Sequence, residues 1–237
     1  MRYALNKMRI LHEDNHIIVV EKPLNVPSQE DSSKDLDLLN MVKAYLKEKY
    51  DKPGNVYTGL VHRLDRPTGG VMVFAKTSKA AARLSESLKV GEVQKRYFAI
   101  VSGFLKDRVA HLSDWLIKDE ENNIVKRVVA KVEGAKKAEM TYRVLASDEG
   151  LTLVDINLLT GRSHQARVQM ATAGAPIFGD AKYGSPHQGN LALWAYQLSF
   201  IHPVTGSSML FKCYPPDDVY PWTHFELEKF MKIAKPR

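Results

Sequence analysis

Residues 138–161 read AEMTYRVLASDEGLTLVDINLLTG, and this stretch decides the fold class. Its two arms are rich in β-branched and aromatic residues, and Ser147-Asp148-Glu149-Gly150 between them is a turn signal. Strands joined by so short a turn are antiparallel, since a parallel pair needs a crossover of a dozen residues or more. Strand patterns recur outward from this hairpin. HIIVVEKP (16–23), GGVMVFAK (69–76) and QKRYFAIVSG (94–103) precede it, and two more strands around HPVTG (202–206) follow. Helical spacing appears at Leu38, Leu39, Val42, Tyr45, Leu46 and Tyr50, with Ser33 or Asp35 as the expected cap. A second helix is expected from TSKAAARLSESLK, capped by Thr77 or Ser78, and a third from RSHQARVQMATAG. Residues 104–127 predict short strands and loops, and the C-terminal HFELEKFMKIAKPR predicts an amphipathic closing helix. Strands outnumber helices and hairpins join them, which predicts an α+β fold with a mostly antiparallel sheet.

The only composition break falls in the Glu30–Lys34 loop, so residues 1–237 are expected to form a single domain. The length allows a sizeable core, and 44% apolar with 26% charged residues is ordinary for a globular protein. No apolar run is long enough for a membrane span, and the N-terminus lacks the apolar stretch of a secretion signal. The one cysteine, Cys213, excludes an internal disulfide and a Cys-rich zinc site, which suits a reducing cytoplasm. A net charge of +7 raises the expectation of a nucleic-acid partner.

Three stretches carry the candidate chemistry. In GLVHRLDRPTGGVMVFAK (59–76), Asp65 stands between Arg63 and Arg66, with His62 near and Lys76 at the far end. Flanking positive charge favours an ionised carboxylate, which can act as nucleophile or base. No second acid lies in the 63–76 stretch, so a metal site is not expected there. In TGRSHQAR, Arg162, His164, Gln165 and Arg167 crowd the start of a helix, where forked guanidinium groups favour phosphate. In QKRYFAIVSG, strand alternation points Lys95 and Tyr97 to one face and Arg96 and Phe98 to the other.

Taken together, HRLDRPTGGVMVFAK, KRYFAIVSG and TGRSHQARVQMATAGAPIFGDAKYG resemble the successive signatures of RluA-type pseudouridine synthases. DNHIIVVEKP (14–23) resembles that family's opening motif and LWAYQLSFIHPVTG its closing strand pair, so the resemblance spans about residues 8–216. It implies a mixed, largely antiparallel central sheet flanked by helices, and a reaction that isomerises uridine in RNA without metal or cofactor. By resemblance Asp65 is the essential aspartate, Tyr97 the active-site tyrosine and Arg167 the arginine that pairs with the aspartate. Arg63 matches an arginine that enters the RNA helix when the target base leaves it. His62, Lys76, Arg162 and His164 are further candidate RNA contacts. The chain departs from the family at Gly69, where serine is usual, and at Ala166, where a bulkier aliphatic residue is usual.

The resemblance further implies an RNA partner, with ribosomal and transfer RNA both open. About a dozen residues precede the opening motif, too few for a separate N-terminal RNA-binding module, and with no obvious exposed apolar helix a cytoplasmic monomer is expected. Two rival readings stand beside it. One is an inactive RNA-binding or RNA-folding protein of the same fold. The other is a hydrolase in which Asp155, Asp180 or Glu139 supplies a second carboxylate.

Overall fold

The computed structural model describes residues 8–129 and 132–231. The chain forms two compact units. The first is built from Met1–Gln94 and Ala195–Cys213, the second from Lys95–Trp194 and Tyr214–Arg237.

In the first unit, strands β1 (Arg9–Glu13), β2 (Ile17–Lys22) and β4 (Gly69–Ala75) lie side by side, and both pairings are antiparallel. The short β3 (Gly59–Leu60) also pairs with β4. Strand β10 (Leu193–Ile201) follows β4 in the sheet and pairs antiparallel with β11 (Ser208–Lys212). All seven residues of β4 are buried, as are Ile17 to Val20 of β2, so these strands read as unbroken apolar runs. Gly70 has φ +125, and a Cβ there would run into the Ala195 carbonyl. No other residue fits that position. Helix α1 (Leu38–Lys49) buries Leu38, Met41, Val42 and Leu46. Helix α2 (Ser78–Lys89) packs on β3 and β4 and buries Ala80 and Leu84.

In the second unit, β5 (Gln94–Ser102), β9 (Leu151–Leu158), β8 (Lys136–Asp148), β6 (Val109–Asp119) and β7 (Ile124–Val128) follow in that order, every pair antiparallel. The β8–β9 hairpin turns on Glu149 and Gly150, with φ 45 and φ 78. Two successive positive φ values give the tight loop whose twist matches paired strands. Helix α3 (Gln165–Thr172) packs on β6 and β7, where Val168 joins Leu116, Val125, Ala138 and Tyr183 in one cluster. Helix α4 (Leu227–Met231) is the last described element. The fold is α+β with a mixed, mostly antiparallel sheet and few helices.

Several local expectations shift. Asp37, not Ser33 or Asp35, caps α1, accepting from Asn40 N at 3.0 Å. Thr77 caps α2 as expected. Residues 109–119 form one eleven-residue strand rather than short pieces. His111 and Ser113 on its exposed face break up the apolar pattern that marks a strand. The C-terminal helix covers Leu227–Met231; His224 instead ends a 3-10 turn and Phe225 is extended, and residues 232–237 of that expectation lie outside the described residues.

Candidate active site

Asp65 sits on the turn that feeds β4, closed by a hydrogen bond from Thr68 N to Asp65 O at 2.9 Å. Buried donors fix this turn from three sides. Ser28 Oγ donates to Leu64 O at 2.6 Å and accepts from Leu64 N at 3.1 Å. Val73 N donates to His62 Nε2 at 3.1 Å, which places the neutral ring's proton on Nδ1. Lys22 is fully buried, and its Nζ donates to Pro23 O, Arg66 O and Thr68 O at 3.0, 3.0 and 2.7 Å.

Three carbonyls use all three N–H bonds of an ammonium, so the geometry suits the charged lysine. Burial pushes Lys22 down to about 7; Asp65's negative charge opposes that fall and Arg66's positive charge adds to it. The acid and the buried ammonium thus sense each other, and the lysine holds the backbone on both sides of Pro67. The sequence reading passed over Lys22. Its signal was a lysine at the end of the β-branched run Ile17–Val20, immediately before proline.

The two arginines of the turn differ. Arg63 is exposed. Arg66 reaches back to the 31–35 loop, donating to Ser33 Oγ at 2.9 Å and pairing with Asp31 and Asp35. Lys76 lies at the opposite end of β4 from the turn, about 20 Å along the strand. Its Nζ donates to Glu13 Oε1 at 2.6 Å and Asp14 O at 2.5 Å and sits 4.8 Å from the Tyr50 ring centroid. Lys49, Tyr45 and Tyr50 converge on the same Glu13 carboxylate.

In the second unit Tyr97 is buried in β5 opposite Ile156 of β9. Arg167, on the first turn of α3, makes a bidentate pair with Asp180 through Nε at 2.8 Å and Nη2 at 2.7 Å. Its Cζ lies 5.1 Å from the Tyr183 ring centroid. His164 is the residue before α3 and adopts a left-handed conformation, φ 50. Its Nδ1 meets Tyr183 Oη at 2.7 Å, and that hydroxyl accepts from Val125 N at 2.9 Å. Tyr183, which the sequence reading did not single out, therefore joins His164 to Arg167. Arg162 donates from Nε to Lys137 O at 2.9 Å. The loop between β9 and α3 is braced by Gln165 Oε1, which accepts from Thr160 Oγ1 at 2.7 Å and Arg162 N at 3.0 Å.

The carboxylates that a hydrolase would need are all engaged by cations. Asp155 pairs with Arg96 and Arg143, Asp180 with Arg167, and Glu139 with Lys137 and His111. Among the described residues no group of three or more His, Cys, Asp or Glu side chains could hold a metal ion. Among them, too, no helix is long and apolar enough to cross a membrane.

Comparison with known proteins bears on this arrangement directly. The RNA pseudouridylate synthase family profile matches residues 16–172. The chain is 36% identical over 214 residues to the dual-specificity RNA pseudouridine synthase RluA of Yersinia pestis, covering 87% of this chain and 98% of that one. It is 32% identical over 214 residues to the ribosomal large subunit pseudouridine synthase C of Buchnera aphidicola, covering 86% of this chain and 66% of that longer protein. Human RNA pseudouridylate synthase domain containing 4 shares the fold, with TM-score 0.77 and 24% identity over 97% of this chain and 95% of that one. The motifs around Asp65 and Tyr97 fall inside the matched span, as does the Arg162–Arg167 cluster, and the chain belongs to the RluA-type RNA pseudouridine synthases, a family of isomerases.

Proposed function

We propose that this chain converts uridine to pseudouridine in a structured ribosomal or transfer RNA, with Asp65 as the catalytic carboxylate. The C1′–N1 bond of the target nucleotide breaks, the freed uracil reorients, and C1′ joins C5. Reaching a base in folded RNA requires flipping it out of its stack. Asp65 acts at the sugar as an anion, either on C1′ or on a sugar proton. Tyr97 stacks against the uracil and is positioned to handle the C5 proton, and Arg167 serves the same reaction as a fixed positive charge. Arg63 fills the space that the base leaves, and Arg162 and His164 hold the RNA. His62 and Lys76 are engaged in bonds that frame β4, and they support the site through that strand.

One observation carries this reading: the turn bearing Asp65 is fixed by a fully buried lysine and a buried serine that act on its backbone. An acid on a turn held this firmly is preorganised for chemistry. The family match runs through both units, which supports a single catalytic domain. A cytoplasmic monomer is the simplest form consistent with this reading.

The test is Asp65→Asn, which keeps size and removes charge. Tritium release from RNA labelled at uridine C5 should fall roughly a thousandfold or more, with circular dichroism unchanged. Release near the wild-type rate would remove Asp65 from the mechanism. RNA binding without any release by the wild-type protein would favour the inactive RNA-binding reading.

A further inference from the structure

We infer that Lys95 and Arg162 form a phosphate seat for the RNA backbone beside Tyr97. Most cations of the second unit's sheet face a carboxylate. Arg96 and Arg143 have Asp155, Arg127 has Asp114, Lys126 has Asp119, and Lys137 has Glu139. Lys95 and Arg162 do not. Among the described residues no acceptor meets Lys95 Nζ, and the Arg162 guanidinium is anchored only through Nε to the Lys137 carbonyl.

The backbone brings these two charges together. Lys95 pairs with Leu158 at the end of β9, where the chain turns into the loop that carries Arg162. The ammonium lies against this loop: a Cβ on Gly161 would come within 3.1 Å of Lys95 Nζ. Glycine at 161 therefore leaves the space that the lysine uses. Lys95 is half-buried, and burial together with Arg162's charge holds its pKa below the ordinary lysine value. Two cations held close without a carboxylate repel each other, and an anion placed between them relieves that repulsion.

A phosphodiester fits. The guanidinium offers a planar fork to its oxygens and the ammonium a mobile point charge. Lys95 is two residues from Tyr97 on the same strand face, about 7 Å away, which is the scale of one nucleotide. Phosphate held at this pair would set the position of the neighbouring base against the tyrosine.

This inference rests on the RNA reading above. Equilibrium binding of the full chain to a fluorescein-labelled RNA stem-loop with uridines in its loop tests it, between about 50 and 200 mM salt. Lys95→Gln and Arg162→Gln are each expected to weaken binding several-fold at low salt and to flatten the log–log salt slope by about 0.7–0.9. Lys95→Arg should restore most of both. Wild-type affinity and slope in both glutamine variants would overturn the phosphate seat. So would millimolar inorganic phosphate raising the wild-type melting temperature while the RNA slope stays unchanged in the variants, because the seat would then serve a free anion. Tritium release by the wild-type protein tests the underlying function separately, so the two failures are distinguishable.

Discussion

Arg66 in the first unit and Arg167 in the second each hold carboxylates beside the candidate chemistry, in opposite settings. The Arg66 side chain is 42% exposed, and its partners Asp31 and Asp35 are 41% and 53% exposed. Arg167 is 8% exposed and Asp180 not at all. Water and salt compete for the first clasp, so it can open and re-form with little cost. The second is sealed, and removing either half breaks a bidentate ion pair in the interior. An exposed pair of this kind exchanges with solvent and salt, whereas a sealed pair fixes geometry.

The hardest test of that contrast is Asp180→Ala. It should cost about 3–5 kcal/mol of stability in urea denaturation, because the Arg167 charge loses its bidentate partner. The counterpart Asp35→Ala should leave the melting temperature where it is, and similar losses in the two variants would erase the distinction.

Glu13 offers a second sealed carboxylate, this time in the first unit. Burial pushes it up, but hydrogen bonds from Lys49, Lys76, Tyr50 and Tyr45 outweigh that and bring it from 4.5 to about 2. A carboxylate depressed in the folded state contributes stability that is complete above its unfolded pKa and is lost as pH falls toward its folded one. The contribution of about 3 kcal/mol should therefore fade between about pH 4.5 and about pH 2. Urea titrations of the wild-type protein and Glu13→Gln should differ at pH 6 and converge near pH 2. A gap that persists at pH 2 would assign the effect to packing.

Lys22→Met asks whether a buried cation on carbonyls behaves like one on a carboxylate. It leaves three carbonyls without their donor and should destabilise the fold by roughly 2 kcal/mol. A more stable variant would mean that burying the ammonium costs more than its three bonds return. A smaller loss than that of Lys22→Met is expected at the start of α2. Thr77→Ala removes the α2 cap and should lower stability by about 1 kcal/mol, measured by thermal melting.

Periodicity and turn chemistry made much of the fold legible in sequence. Strands β2, β4 and β5 were visible because buried β-branched runs stand out between polar loops. The β8–β9 hairpin was visible because Glu149-Gly150 suits a turn with two positive φ values. Other features were hidden for physical reasons. Strand β6 carries polar residues on its exposed face, which blurs its alternation. The α1 cap went to Asp37 rather than Ser33 or Asp35, since both earlier residues bond Arg66 in the loop. Lys22 and Tyr183 owe their importance to partners far along the chain, and spacing does not report such partners; Asp180 was named as a carboxylate, but its pairing with Arg167 was not.

The first unit is also discontinuous, and this has a consequence during synthesis. Its β4 neighbour, β10, is encoded about 120 residues later, so at a typical ribosomal pace of 5–20 residues per second the β4 edge stands open for roughly ten seconds. Throughout that interval the nascent chain displays an apolar strand, and the backbone at Gly70 lacks the Ala195 carbonyl that it packs against. Packing of the strand that follows Asp65 is therefore completed only once residues 195–213 have been made, and not when the first 94 have.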